Sequence, residues 1–188
     1  MGAPALARGR LVGSALTDVR DLLVTEAYEG NSGLNGRVAF GRDGKVYMST
    51  GGRVGTVAQD PTSLRGKILR LNDDGSVPSD NPFAGDAGHR PEIYTFGHRN
   101  TLGLMVHPQT GMLWNHENGP NGGDEVNIIL AGRNYGWPVV SFGRNYPGAR
   151  IAEHPTREGM ESPLVVWLPA IAVAGLTVYT GDQFPAWG

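Results

Sequence analysis

The chain has 188 residues, of which 39% are hydrophobic and 18% charged, with 16 basic residues against 18 acidic ones. A net charge of −2 excludes an electrostatic nucleic-acid binder, and no run approaches the roughly 18 apolar residues of a membrane helix. Cysteine is absent, which removes disulfides and thiolate sites, while 29 glycines and 13 prolines exclude a helical bundle and favour short strands joined by turns.

In chain order, Met1 to Arg8 lacks the basic start and apolar run of a secretory signal. Leu16, Val19, Leu22 and Leu23 have helical spacing between residues 14 and 27, but Val19 to Val24 also reads as a strand, and periodicity does not separate the two. Arg37–Phe40 and Lys45–Ser49, joined through Asp43-Gly44, read as a hairpin whose turn draws its positive φ angles from Asp-Gly. The same grammar recurs at Lys67–Leu71 followed by Asp74-Gly75. It returns at Leu104–His107, which turns through Gly111 into Met112–Asn115. Glu92–Phe96, Val126–Ile129, Leu164–Trp167 and Leu176–Tyr179 read as further strands. Turn glycines at 44, 75 and 111 suit an all-β meander or blade architecture. The chain stops soon after an expected strand, with nothing resembling a cap, and so reads as a piece of a longer protein.

Three segments between residues 97 and 138 carry residue types suited to chemistry. Gly97-His-Arg-Asn100 lies between two strands; Arg99 offers a planar fork of donors for a carboxylate, although a surface arginine beside a turn asparagine reads equally from these residues. Asn118–Glu125 is an irregular loop whose carbonyls and carboxylates are hard oxygen donors suited to calcium, without EF-hand spacing. Gly132–Pro138 packs Tyr135 and Trp137 among glycine and proline, the composition of a rigid corner with a buried tryptophan.

Taken with Asn35–Phe40, Leu64–Leu71 and Asp80–Phe83, these segments closely resemble the soluble glucose/sorbosone dehydrogenase family, in particular its aldose sugar dehydrogenases that use pyrroloquinoline quinone (PQQ). The resemblance implies an all-β, six-bladed β-propeller about twice this length, so that residues 1–188 form a partial propeller domain of roughly three blades. It also favours strand over helix for residues 14–27. It implies oxidation of the anomeric carbon of an aldose to the lactone, with calcium polarising the quinone and an external electron acceptor completing the cycle. It places the parent protein in the periplasm or outside the cell, with no nucleic-acid partner and no membrane span. Arg99 and Asn100 match the pair that contacts the quinone. Gly119 and Pro120 match the loop whose carbonyls hold the calcium that grips it. Glu125 matches a calcium-ligating glutamate, and Tyr135 a position whose carbonyl completes that site.

The sequence departs from the family where a base is needed. The histidine that begins the family's His-x-Gly-Gly-Arg-Leu pattern is replaced by Gly33, so no catalytic base is assigned, and an acidic position of many members is Gly52. The histidines at 89, 98, 107, 116 and 154 fall elsewhere. His116 stands near the cofactor loop, though a strand-end histidine is more often structural. The alternative to an active dehydrogenase is a catalytically silent propeller acting as a carbohydrate-binding or interaction module.

Overall fold

The computed structural model describes residues 1–28, 35–146 and 148–187. The chain begins with a long hairpin, β1 (Ala5–Val12) and β2 (Ala15–Val24), which form a two-stranded antiparallel sheet. Residues 14–27 therefore hold a strand and no helix. Val38–Phe40 (β3), Val46–Ser49 (β4), Lys67–Leu71 (β5) and Ile93–Phe96 (β6) pair in sequential order into one four-stranded antiparallel sheet. Thr101–Val106 (β7), Leu113–Glu117 (β8), Asp124–Ile129 (β9) and Val165–Trp167 (β10) repeat the meander in a second. Among the described residues there are thus three sheets, two of them four-stranded, and the only helices are 3-10 turns at Val57–Gln59 and Pro185–Trp187.

Alternation along the strands explains the layering. Tyr47 and Ile68 face one side of the first sheet and, with Ala39, meet Leu113, Ile129 and Tyr135 of the second sheet and its corner. Val46, Met48 and Leu71 face the opposite side and pack under Leu6, Leu22 and Leu23 of the β1–β2 hairpin. The two central strands, β4 and β5, are buried on both faces, with period two deciding which neighbour a side chain meets, whereas Val38 and Phe40 of β3 are exposed. Each large side chain so buried contributes about 1.5–3 kcal/mol. The hairpin covers only one face, and Leu11, Val12, Leu16 and Val19 remain exposed.

Three local expectations need correction. In the β3–β4 turn only Gly44 takes a positive φ, 74°; Asp43 does not, and its carboxylate instead accepts from the Tyr47 hydroxyl at 2.9 Å and the Lys45 N–H at 3.1 Å. The turn at Gly75 (φ 90°) closes Asn72 onto Ser76, but no strand follows directly. The partner, β6, begins at Ile93, after a segment of tight turns in which the N–H groups of Asn81, Ala84, Asp86 and His89 are spent on carbonyls of the segment itself. Leu176–Tyr179 forms no strand: it takes part in no ladder among the described residues, although Leu176 lies against Gly103 of β7.

The Asp80–Phe83 motif is a structural clasp. The Arg70 guanidinium bridges Asp80 at 2.8 and 3.1 Å, Asn81 at 3.0 Å and Asp43 at 2.9 Å. Asn81 in return donates to the carbonyls of Arg70 and Pro91, both at 2.9 Å. One buried side chain therefore fixes the β3–β4 turn and the long β5–β6 connection, on the same face of the sheet as Tyr47 and Ile68.

Candidate functional site

The site forms where the β6–β7 loop, the β8–β9 loop and the 132–138 corner meet. Its foundation is Glu117, the buried last residue of β8. Its Oε2 accepts the backbone N–H of Arg99 at 2.6 Å and of Asn100 at 3.3 Å, while Oε1 accepts Asn115 Nδ2 at 2.7 Å and His98 Nδ1. The other ring nitrogen of His98, Nε2, lies 2.8 Å from the Thr95 hydroxyl, so both nitrogens are hydrogen-bonded. The imidazole stacks on Tyr135 with ring centroids 4.7 Å apart. Burial works to raise the Glu117 carboxyl, but His98, the Arg99 N–H and the Asn115 amide outweigh it and hold it below the usual range. One carboxylate thus sets the backbone from which Arg99 projects.

Asp124, fully buried at the start of β9, performs the matching task for the other loop. Its Oδ1 accepts the Gly119 N–H at 2.9 Å, and Oδ2 accepts the N–H groups of Ile171 and Ala172 at 2.9 and 2.6 Å. Ala172 takes a φ of 58°. A non-glycine residue is uncommon there, and the bond to Asp124 holds it.

The corner closes the third side. Asn134 exchanges amide hydrogen bonds with Gln59 at 2.8 and 3.0 Å, and Trp137 Nε1 donates to the Gly52 carbonyl at 2.8 Å. Tyr135, not Trp137, is the buried aromatic; its hydroxyl donates to Ile128 O at 2.6 Å, and burial pushes its ionisation up. Trp137 stays half-buried, with the Arg99 guanidinium 5.1 Å from its ring centroid.

Two cavities flank the Asn118–Pro120 loop. The first, about 30 Å³, is lined by Arg99, Glu117, Gly119, Glu125, Tyr135 and Glu161 among others, and has room for a single ion or water. Glu117 and Glu125 are direct cross-strand partners. Burial and then the negative charge of Glu117 push the Glu125 carboxyl up to about 8, and its one side-chain hydrogen bond is from Asn127 at 3.1 Å. The second cavity, about 280 Å³ and open, is lined by Arg53, Val54, Arg99, Pro120, Trp137, Asn145 and Tyr146.

Of the residues singled out from sequence, Arg99, Gly119, Glu125 and Tyr135 line the first cavity, while Arg99 and Pro120 line the second. Asn100 lines neither; its N–H is spent on Glu117. Gly33 lies outside the described residues. A Cβ on Gly52 would stand 2.5 Å from both Gly66 Cα and the His98 carbonyl, so the packing itself excludes an acid at that position. His116, the histidine near the cofactor loop, is buried on the face of β8 opposite Glu117, lines neither cavity, and is held low by burial.

Sequence reading missed Glu117, Asp124 as an anchor, Arg53 and Glu161. A signal for Glu117 existed: Leu113, Asn115 and Glu117 share one face of a strand whose first member is core, so the glutamate had to be buried and partnered.

The glucose/sorbosone dehydrogenase family model matches residues 2–188. The aldose sugar dehydrogenase YliI of Escherichia coli is 39% identical over 179 residues, covering 93% of this chain and 48% of that protein. The crystal structure of the soluble aldose sugar dehydrogenase from Escherichia coli in the apo-form superposes with a TM-score of 0.93 at 38% identity, covering 97% of this chain and 55% of the other. The PQQ-bound form of aldose sugar dehydrogenase from Streptomyces coelicolor superposes at 0.63 with 31% identity, over 84% of this chain and 42% of that one. The chain spans about half or less of the length of the curated relatives it matches. These sheets are blades of the propeller those dehydrogenases share, and the chain belongs to the glucose/sorbosone dehydrogenase family.

Proposed function

We propose that the protein is a PQQ-dependent aldose dehydrogenase, with the quinone in the open cleft and calcium held by the Asn118–Glu125 loop and its neighbours. The observation that carries this reading is the convergence of a buried arginine, an aromatic wall and a carbonyl-rich loop on one cleft. The residues fit an anionic planar cofactor: Arg99 is drawn down to about 10 by burial and then by the charge of Arg53, and its Nε is buried without a partner. A carboxylate would relieve both defects.

The residues also fit a hard cation. Glu125 and Tyr135 share the smaller cavity, and Glu125 is a half-buried carboxylate with no positive partner among the described residues. Among the described residues no three His, Asp or Glu side chains cluster closely enough to hold an ion by themselves, so backbone carbonyls must supply the remaining ligands. When bound, the calcium-polarised quinone would take the hydride from the anomeric carbon of the sugar. Around it, Arg99 would hold a quinone carboxylate, Glu117 would fix the Arg99 backbone, and Asp124 would hold the carbonyls of Gly119 and Pro120 in place. The external electron acceptor and a location outside the cytoplasm belong to the same reading; no described helix is long and apolar enough to cross a membrane.

The second reading, a silent propeller that binds sugar or a partner, is favoured by Gly33 at the base position and by the closed packing at Gly52. A dye-linked assay with PQQ, calcium and a panel of aldoses separates the two. Turnover at about 1–10³ s⁻¹ supports the dehydrogenase. Quinone binding with turnover some 10²–10⁴-fold lower fits a retained cofactor site without a base. Absence of quinone binding overturns the proposal. Calcium is checked separately by melting temperature: millimolar calcium should raise it, and Glu125→Gln should abolish that rise while leaving the metal-free protein at least as stable.

A further inference from the structure

We propose that Arg53 is the second arm of an anion clamp, binding together with Arg99 the carboxylates of a planar quinone in the open cleft. The proposal rests on the PQQ reading above and names a residue that reading does not require.

Arg53 and Arg99 line the same cleft, and no acidic side chain lines it with them. Arg99 commits Nη1 to the Asn118 carbonyl at 2.7 Å, stacks against Trp137 and leaves Nε buried without a partner. Arg53 is exposed and, among the described residues, makes no ion pair and no side-chain hydrogen bond. Two guanidinium groups facing one space repel each other, and no carboxylate on the wall of the cleft offsets it.

Their spacing is built into the backbone. The Gly52 N–H donates to the Arg99 carbonyl at 2.9 Å, and the Gly52 carbonyl accepts Trp137 Nε1 at 2.8 Å. One glycine therefore staples the segments carrying Arg53, Arg99 and Trp137, at a contact so close that any Cβ would collide with the His98 carbonyl. The missing acid at position 52 leaves the pair of cations unneutralised, so a ligand must bring the negative charge. The cavity, about 280 Å³, lies near the lower end of small-molecule sites, about 300–1,000 Å³.

The test is titration of the calcium-loaded protein with PQQ, followed by tryptophan fluorescence and by the quinone's absorption, for wild type, Arg53→Gln, Arg53→Lys and the control Arg10→Gln on the exposed hairpin. A parallel titration uses the esterified quinone, whose carboxylates carry no charge. Arg53→Gln should weaken PQQ binding about five- to tenfold and flatten its salt dependence, with no change in melting temperature. Arg53→Lys should recover part of the loss, Arg10→Gln should match wild type, and the ester should bind wild type and Arg53→Gln equally weakly. Equal affinity of wild type and Arg53→Gln for PQQ would overturn this proposal alone, as would an equal loss for acid and ester. Failure of the wild type to bind PQQ at all would overturn the functional reading with it.

Discussion

Glu117 shows how much a single buried carboxylate can organise. It receives four donors from two segments, the 98–100 loop and β8 itself, and all four require an acceptor. Glu117→Gln keeps the shape but turns one oxygen into an NH₂ group that must face either His98 and Asn115 or the two backbone N–H groups. We expect a loss of about 3 kcal/mol in urea unfolding, together with weaker quinone binding as the Arg99 backbone loses its anchor. A variant as stable as wild type would show that the donors find other acceptors. Arg99 and Glu125 were legible from the sequence because they sit in motifs. The burial of Glu117 was legible from strand alternation, but most partners of Glu117 and Asp124 were not, because they lie on other loops, up to 48 residues away, and no local pattern encodes such contacts.

At the scale of elements, the turn behind the cleft depends on Lys67. This side chain is fully buried at the start of β5, and Nζ donates to the carbonyls of Val57, Ala58 and Arg65 at 3.1, 3.1 and 2.6 Å. Burial draws its ionisation down from 10.5 to about 8. Between pH 8 and 10.5 the unfolded chain holds a proton that the folded chain has released, so in that window stability rises with pH, by at most about 1.4 kcal/mol per pH unit. Lys67→Met should lose that slope and also leave three carbonyls unsatisfied, lowering stability below pH 8. Urea unfolding of both proteins at pH 7, 8, 9 and 10 reads the difference, and parallel pH profiles would show that Lys67 does not titrate there. Strands were the most legible elements, since alternation and glycine turns mark β3, β4, β7 and β8 directly. The Leu176–Tyr179 strand failed for the converse reason: a β-rich run states a preference, while a strand also needs a partner.

At the scale of the molecule, the layers meet through their faces and the functional site through its loops. Ile68 lies at the centre of the contact between the two four-stranded sheets, and Ile68→Ala should cost about 2–5 kcal/mol. The same substitution should loosen the site, because the sheet separation sets how the β6–β7 and β8–β9 loops approach one another. Calorimetry with and without quinone and calcium would show both effects.

Asp124 has a wider consequence. Its carboxylate joins the Gly119 loop to residues 171 and 172, at the root of an extended, largely exposed stretch that runs to residue 187. Two segments held by one group are thermodynamically reciprocal: ordering the loop favours the stretch by the same coupling free energy with which ordering the stretch favours the loop. Amide exchange at Ile171 and Ala172 should therefore slow when calcium and quinone are bound, although neither residue lines the cleft. Asp124→Asn should uncouple the two, leaving exchange at these amides fast whether or not the cleft is filled. The stretch would then serve as an internal gauge of occupancy, readable without any turnover.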